Sequence, residues 1–194
     1  MSVLSFLIYV FVTSFTPGPN NIMAMANAHQ FGLKRTMRFC LGVGAGFFVL
    51  MLLCSFFNLL LKNFVPKMEM AMTLLGAVYM LYLAYKILKS KPGSGSEEDQ
   101  KRNSFFTGMV LQFINPKGIL YGLTALSAFI LPYYSSNGSL LLFSFFLAFI
   151  GFAATVLWST FGSVFQRFLT VYRKQFNMLM ALLLVYSAVS IVLH

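Results

Sequence analysis

Acidic residues are almost missing from this chain. Four Asp and Glu stand against 14 Lys and Arg in 194 residues, and charged side chains of both signs make up only 9%. A soluble domain carries about a quarter charged residues, and helices without a charged outer face cannot coat a water-soluble core. The shortage therefore excludes an ordinary soluble protein. Cysteine is scarce too: the only 2 are Cys40 and Cys54, both on the second predicted helix. Their separation along a helix is about 21 Å, far beyond disulfide reach. Arg38 near Cys40 is the only basic neighbour, so neither reads as a reactive thiolate, and both read as small hydrophobes. A Gly-rich phosphate loop, metal-ligand spacing and a nucleophile–base arrangement are all missing, so the sequence indicates no metal, no cofactor and no enzyme.

What is present is apolar. Hydrophobic residues make up 59% of the chain and the mean hydropathy is +0.80. Six runs approach or exceed the ~20 helical residues that cross a ~30 Å hydrocarbon core: about Val3–Ala28, Phe39–Leu61, Met70–Leu88, Ser104–Leu131, Leu140–Gly162 and Phe176–Leu193. Almost nothing remains for a soluble domain. The start, Met1-Ser2-Val3-Leu4, lacks a basic region and a cleavage site, so the first run is expected to be a retained helix. These features predict an all-α integral membrane protein with six transmembrane helices in the lipid bilayer.

The net charge of +10 does not point to nucleic acid, because its distribution is one-sided. With six crossings, one side holds Lys34, Arg35, Arg38, Lys86, Lys89, Lys91, Lys101, Arg102, Arg167, Arg173 and Lys174; the other holds Lys62 and Lys67. The positive-inside rule then places both termini outside the cytoplasm. Residues 90–103, rich in Ser, Gly and mixed charge, read as a flexible cytoplasmic linker. They hold Glu97, Glu98 and Asp99, three of the 4 acidic residues. The linker divides the chain into three-helix halves, 1–89 and 104–194. An odd helix count per half requires opposite insertion, which predicts two inverted repeats.

Each half opens with a run broken by proline: Pro17-Gly18-Pro19-Asn20-Asn21 in the first, Asn115-Pro116-Lys117 in the fourth. Proline removes a backbone donor and clashes one turn back, and glycine beside it lowers the resistance to unwinding. The breaks fall roughly 18–21 Å into their spans, near mid-membrane, where freed backbone groups must face protein or a wet cavity. Paired breaks of this kind point to a transporter binding site.

Lys117 lies near mid-span, where a charge is costly by ~3 kcal/mol and a stem reaches an interface poorly. It has three candidate partners: Glu69, freed carbonyls, or an anionic group on a substrate. Asn20, Asn21 and Asn115 offer amides beside the breaks. The half-helix after Pro19 presents donors suited to a carboxylate, and the carbonyls before Pro17, Pro19 and Pro116 suit an ammonium. On this reading Lys117 and the positive start of the half-helix repel each other until a carboxylate binds. Gln112, Tyr121 and Tyr186 are secondary candidates for lining the site. Tyr79, Tyr82 and Tyr85 fit an aromatic belt. Gly42, Gly44 and Gly46 fit helix packing better than a chain dimer, though a homodimer stays open.

Thr16-Pro17-Gly18-Pro19-Asn20 and Asn115-Pro116-Lys117 resemble the two signatures of the lysine exporter/homoserine–threonine exporter family. Gly32, Gly42, Gly46 and the run Gly76-Ala77-Val78-Tyr79 are similar to it too. Leu111-Gln112-Phe113, Tyr121-Gly122-Leu123-Thr124-Ala125-Leu126-Ser127 and Ala181-Leu182-Leu183-Leu184-Val185-Tyr186 resemble its cysteine/O-acetylserine exporter branch. The resemblance implies export of neutral amino acids from the bacterial cytoplasm across the inner membrane in exchange for protons. A separate physical argument agrees: with no deep carboxylate, a cationic side chain on the substrate would lack a partner. The alternatives are an exporter of another small solute or ion, and a membrane thiol-redox carrier, which would need cysteines near the breaks.

Overall fold

Pro17 and Pro19 cut the first apolar run where the sequence predicts. In a computed structural model, which describes residues 3–89, 103–165 and 171–193, α1 runs Val3–Phe15 and α2 Pro19–Phe31, bent by 45° to each other. Pro19 sits in the first turn of α2, where its missing amide needs no partner. Gly32 then turns the chain at φ 81°, a left-handed conformation glycine adopts freely. α3 follows at Leu33–Phe56 and α4 at Asn58–Lys89.

The segment between Leu61 and Met70, expected as a loop, is therefore helical. Hydropathy marks only the part of a helix suited to hydrocarbon. The 32 residues of α4 reach about 48 Å, well beyond a ~30 Å core. The side chains of residues 59–73, and so those of Lys62, Lys67 and Glu69, lie outside the described residues, as does the linker over 90–102.

The second half opens with Ser104, whose hydroxyl accepts the Thr107 amide at 3.2 Å and caps α5, Phe105–Ile114. Asn115 interrupts the helix with ψ 101°, and α6, Pro116–Thr124, starts on proline as α2 does. Ala125–Ile130 continues as a π-helical segment, closed by the Leu131 amide on the Leu126 carbonyl at 2.8 Å. Ser136 caps α7, Asn137–Val164, and α8 covers Arg173–Leu193.

All described elements are helical. By length and composition α3 and α7 can each cross a membrane, and so can the bent pair α1 and α2. Large apolar side chains cover the outside, among them Phe106 at 71% and Leu142 at 67% exposure. A helix apolar all round belongs in a membrane or a deep core, and these faces are not in a core.

Packing centres on α3 and α7. α3 lies against α5 and α7, α2 lies against α7, and α4 pairs with α8. Glycines allow the closest approaches. A Cβ on Gly42 or Gly46 would strike the backbone of Phe105 or Met109, one on Gly108 the Phe39 carbonyl, and one on Gly162 the Met25 carbonyl. Gly44 packs on Phe152 of α7. The small-residue face of α3 is thus filled from within the chain, which removes it as a surface for a second copy. Cys40 and Cys54 are buried and unbridged on α3.

Candidate functional site

The two breaks meet through Lys117, and side chains from three helices satisfy the carbonyls that the first break frees. The Trp158 indole on α7 donates to the Phe15 carbonyl at 3.1 Å. Asn21 Nδ2 donates to the carbonyls of Ser14 at 2.8 Å and Thr16 at 3.1 Å. Lys117 Nζ, reaching across from the second break, donates to the Thr16 carbonyl and the Thr16 hydroxyl at 3.1 Å each, and to the Pro17 carbonyl at 3.3 Å. Unwound backbone at membrane depth needs such partners.

Of the three partners considered for Lys117, the structure shows the carbonyls. Lys117 stands between two helix ends. It binds the carbonyls that follow α1, where the helix dipole is negative, and it lies against Gly18, the residue that caps the positive start of α2. In the empty state the expected repulsion from that start is thus offset by carbonyl acceptors. Gly18 makes this contact possible. Its Cβ, were there one, would lie 3.0 Å from both Cδ and Nζ of Lys117, so the lysine stem occupies the space a side chain would fill.

A second chain of hydrogen bonds crosses between the breaks. Gln112 on α5 is fully buried; its Nε2 donates to the Gly108 carbonyl at 2.9 Å, and its Oε1 accepts from Asn20 Nδ2 at 2.7 Å. Thr155 on α7 donates to Asn21 Oδ1 at 3.4 Å and to the Gly151 carbonyl at 2.9 Å. The Oδ1 atoms of Asn20 and Asn115 are buried with no donor. Tyr121 stacks between Tyr9 and Phe47, at 5.8 Å and 5.5 Å between ring centroids, and its hydroxyl accepts from Ser14 at 3.5 Å.

These groups surround a cavity of about 50 Å³. At about 10–15 Å³ for each water, it holds a few waters or a small solute. Gly18, Pro19, Asn20, Asn21, Gln112, Asn115, Lys117 and Tyr121 all line it. Pro17 and Pro116 do not; Pro17 contributes its carbonyl to Lys117, and Pro116 is buried at the start of α6. Tyr186 faces outward at 71% exposure. The sequence reading missed Thr13, Ser14, Val43, Phe47, Gly118, Gly151 and Thr155, which complete the wall. Gly151 and Thr155 lie one helical turn apart within an apolar run, the one signal available for them. Lys117 and Tyr121 are the titratable groups of the lining, with no carboxylate and no cysteine among them.

Comparison with known proteins adds to this geometry. The pattern of the LysE type translocators matches residues 11–194. The chain is 40% identical over 190 residues to a cysteine/O-acetylserine efflux protein of Klebsiella pneumoniae subsp. pneumoniae, covering 98% of this chain and 96% of that protein. It is 40% identical over 191 residues to the cysteine/O-acetylserine efflux protein of Salmonella typhi, covering 98% and 97%. For that of Escherichia coli the figures are 40% over 187 residues, covering 96% and 95%. No solved structure gives a significant match.

Proposed function

The chain belongs to the LysE type translocator family, and from that membership we propose that it exports small neutral amino acids of the cysteine and O-acetylserine kind from the cytoplasm by proton antiport. It is an amino-acid transporter and not an enzyme. The finer reading places it in the bacterial inner membrane with six crossings: α1 with α2, α3, α4, α5 with α6 and the π-helical segment, α7, and α8. Residues 1–89 and 104–194 form inverted repeats around the linker 90–103, and both termini are extracytoplasmic.

The observation that carries this reading is the cavity itself. It sits where two proline breaks face each other, and its lining brings one ammonium, the amides of Asn20, Asn21, Asn115 and Gln112 beside Lys117, and backbone freed by the first break. A zwitterion needs both signs of partner. Substrate selectivity follows from what the lining lacks: without a carboxylate, a lysine-like substrate would bury its second charge unpaired. The small volume selects against bulky side chains.

Counterflow into proteoliposomes tests the proposal. Vesicles loaded with unlabelled L-cysteine or O-acetyl-L-serine should accumulate the same labelled amino acid and exclude labelled lysine. Preferential lysine uptake, or no counterflow of any neutral amino acid, would sink it.

A further inference from the structure

The ammonium of Lys117 occupies a place shaped for an ammonium. Its Nζ has three protons and finds three acceptors, the Thr16 carbonyl and hydroxyl at 3.1 Å and the Pro17 carbonyl at 3.3 Å. Within the wall of the adjoining cavity are two buried amide oxygens without donors. Asn115 is only 5% exposed, and its Oδ1 has no partner. The orientation of Asn20 is fixed by a carbonyl two links away. The Gly108 carbonyl can only accept, so Gln112 turns Nε2 to it and Oε1 to Asn20 Nδ2. Asn20 Oδ1 is left as a buried acceptor with no donor. The wall around the cavity therefore holds acceptors that its one cation does not reach.

We propose that Lys117 is a tethered stand-in for the substrate ammonium, held in the Thr16–Pro17 cage until an incoming amino acid takes that cage and leaves the lysine to pair with its carboxylate. The proposal rests on the reading of the cavity as an amino-acid site and assigns its two poles. The substrate ammonium meets the Thr16 and Pro17 acceptors of the first break, while Lys117 swings from them to the carboxylate. Positive charge in the cage is conserved through the exchange, so neither the empty nor the loaded site leaves the break's carbonyls unpaired. A ligand with only an amine would evict Lys117 and give it nothing in return. A ligand with only a carboxylate would have no group to refill the cage.

The test uses three ligands of one skeleton: L-cysteine, cysteamine, which lacks the carboxylate, and 3-mercaptopropionate, which lacks the ammonium. Trp158 is the single tryptophan of the chain, and its indole bonds the carbonyl next to the cage, so its fluorescence reports binding to the purified full-length protein. Wild type should bind L-cysteine and neither partial ligand. Lys117→Met vacates the cage and should bind cysteamine at least about tenfold more tightly than wild type does, while losing about tenfold or more for L-cysteine. Gly18→Ala, whose new methyl group pushes the lysine stem aside, should shift cysteamine affinity the same way and serves if Lys117→Met fails to fold. Wild type that binds L-cysteine, with variants that gain nothing for cysteamine, overturns the stand-in role alone. Wild type that binds no amino acid overturns the site as well.

Discussion

The indole N–H of Trp158 on α7 donates to the carbonyl of Phe15, the last residue of α1, at 3.1 Å. In an unbroken helix that carbonyl would accept the amide of residue 19, but residue 19 is proline and has none. Trp158 thus replaces the hydrogen bond that the sequence removed, and it fixes the first break to a helix of the other half. Trp158→Phe keeps the bulk and deletes the donor. It should lower stability by about 1 kcal/mol, the net worth of one partly buried hydrogen bond, seen as a lower melting temperature in detergent. Transport should fall with it, because the Thr16 and Pro17 carbonyls lose their anchor. An unchanged melting temperature would show that the indole only fills space.

Asn20 links the second half of the broken span to Gln112. Asn20→Ala deletes that bond and strands Gln112 Oε1 in a fully buried position. Substrate affinity should drop by about tenfold, near the net worth of one to two buried hydrogen bonds, while turnover at saturation persists. Equilibrium binding and counterflow, measured side by side, separate the two effects. Unaltered affinity would remove Asn20 from the site.

Cys40 and Cys54 should be dispensable for transport. Neither lines the cavity; Cys40 exchanges a hydrogen bond with Ser159 at 3.2 Å, and both are buried on α3. The double Ala variant should export normally with a modest stability loss, on the order of 1–2 kcal/mol for the small voids left. Abolished efflux from well-expressed protein would revive a thiol-based mechanism.

Gly46→Val should fail to assemble. The new side chain would strike the Met109 backbone and come within 3.0 Å of Gln112 Cγ, so α3 and α5 must part. Overpacking of this kind is destabilising by about 1–3 kcal/mol or more. Size-exclusion profiles and protease resistance in membranes provide the readout; a monodisperse, fully active variant would show the helices less tightly seated than described.

Reporter fusions test the orientation. The bias of eleven basic residues to two between the sides predicts that phosphatase fused at either terminus is active outside the cytoplasm. An active cytoplasmic reporter at His194 would undo both the orientation and the repeat assignment.

The breaks were legible because proline acts locally: Pro17, Pro19 and Pro116 cannot donate, whatever surrounds them. Lys117 stood out for the same kind of reason, a charge at a depth that penalises it. What surrounds the breaks depends on tertiary packing and left weaker traces. Gly151 and Thr155 look like ordinary residues of an apolar helix until α7 is laid beside α2. The contacts Lys117 makes, with the carbonyls after α1 and with Gly18 at the start of α2, join residues about 100 positions apart, which no local pattern records. The π-helical segment Ala125–Ile130 contains neither proline nor glycine, and no residue in it foretells the wider turn.

The glycine contacts have a consequence for how the bundle moves. Gly42, Gly46, Gly108 and Gly162 bring main chain against main chain, whereas Gly44, Gly122 and Gly151 meet side chains, those of Phe152, Met51 and Phe47. A side chain can yield by changing rotamer within nanoseconds. A main-chain seam has no rotamers: its helices separate as whole bodies or stay shut. The seams of α3 with α5 and of α2 with α7 can therefore part only as whole helices, while the side-chain contacts of α3 with α6 and α7 can give way one residue at a time.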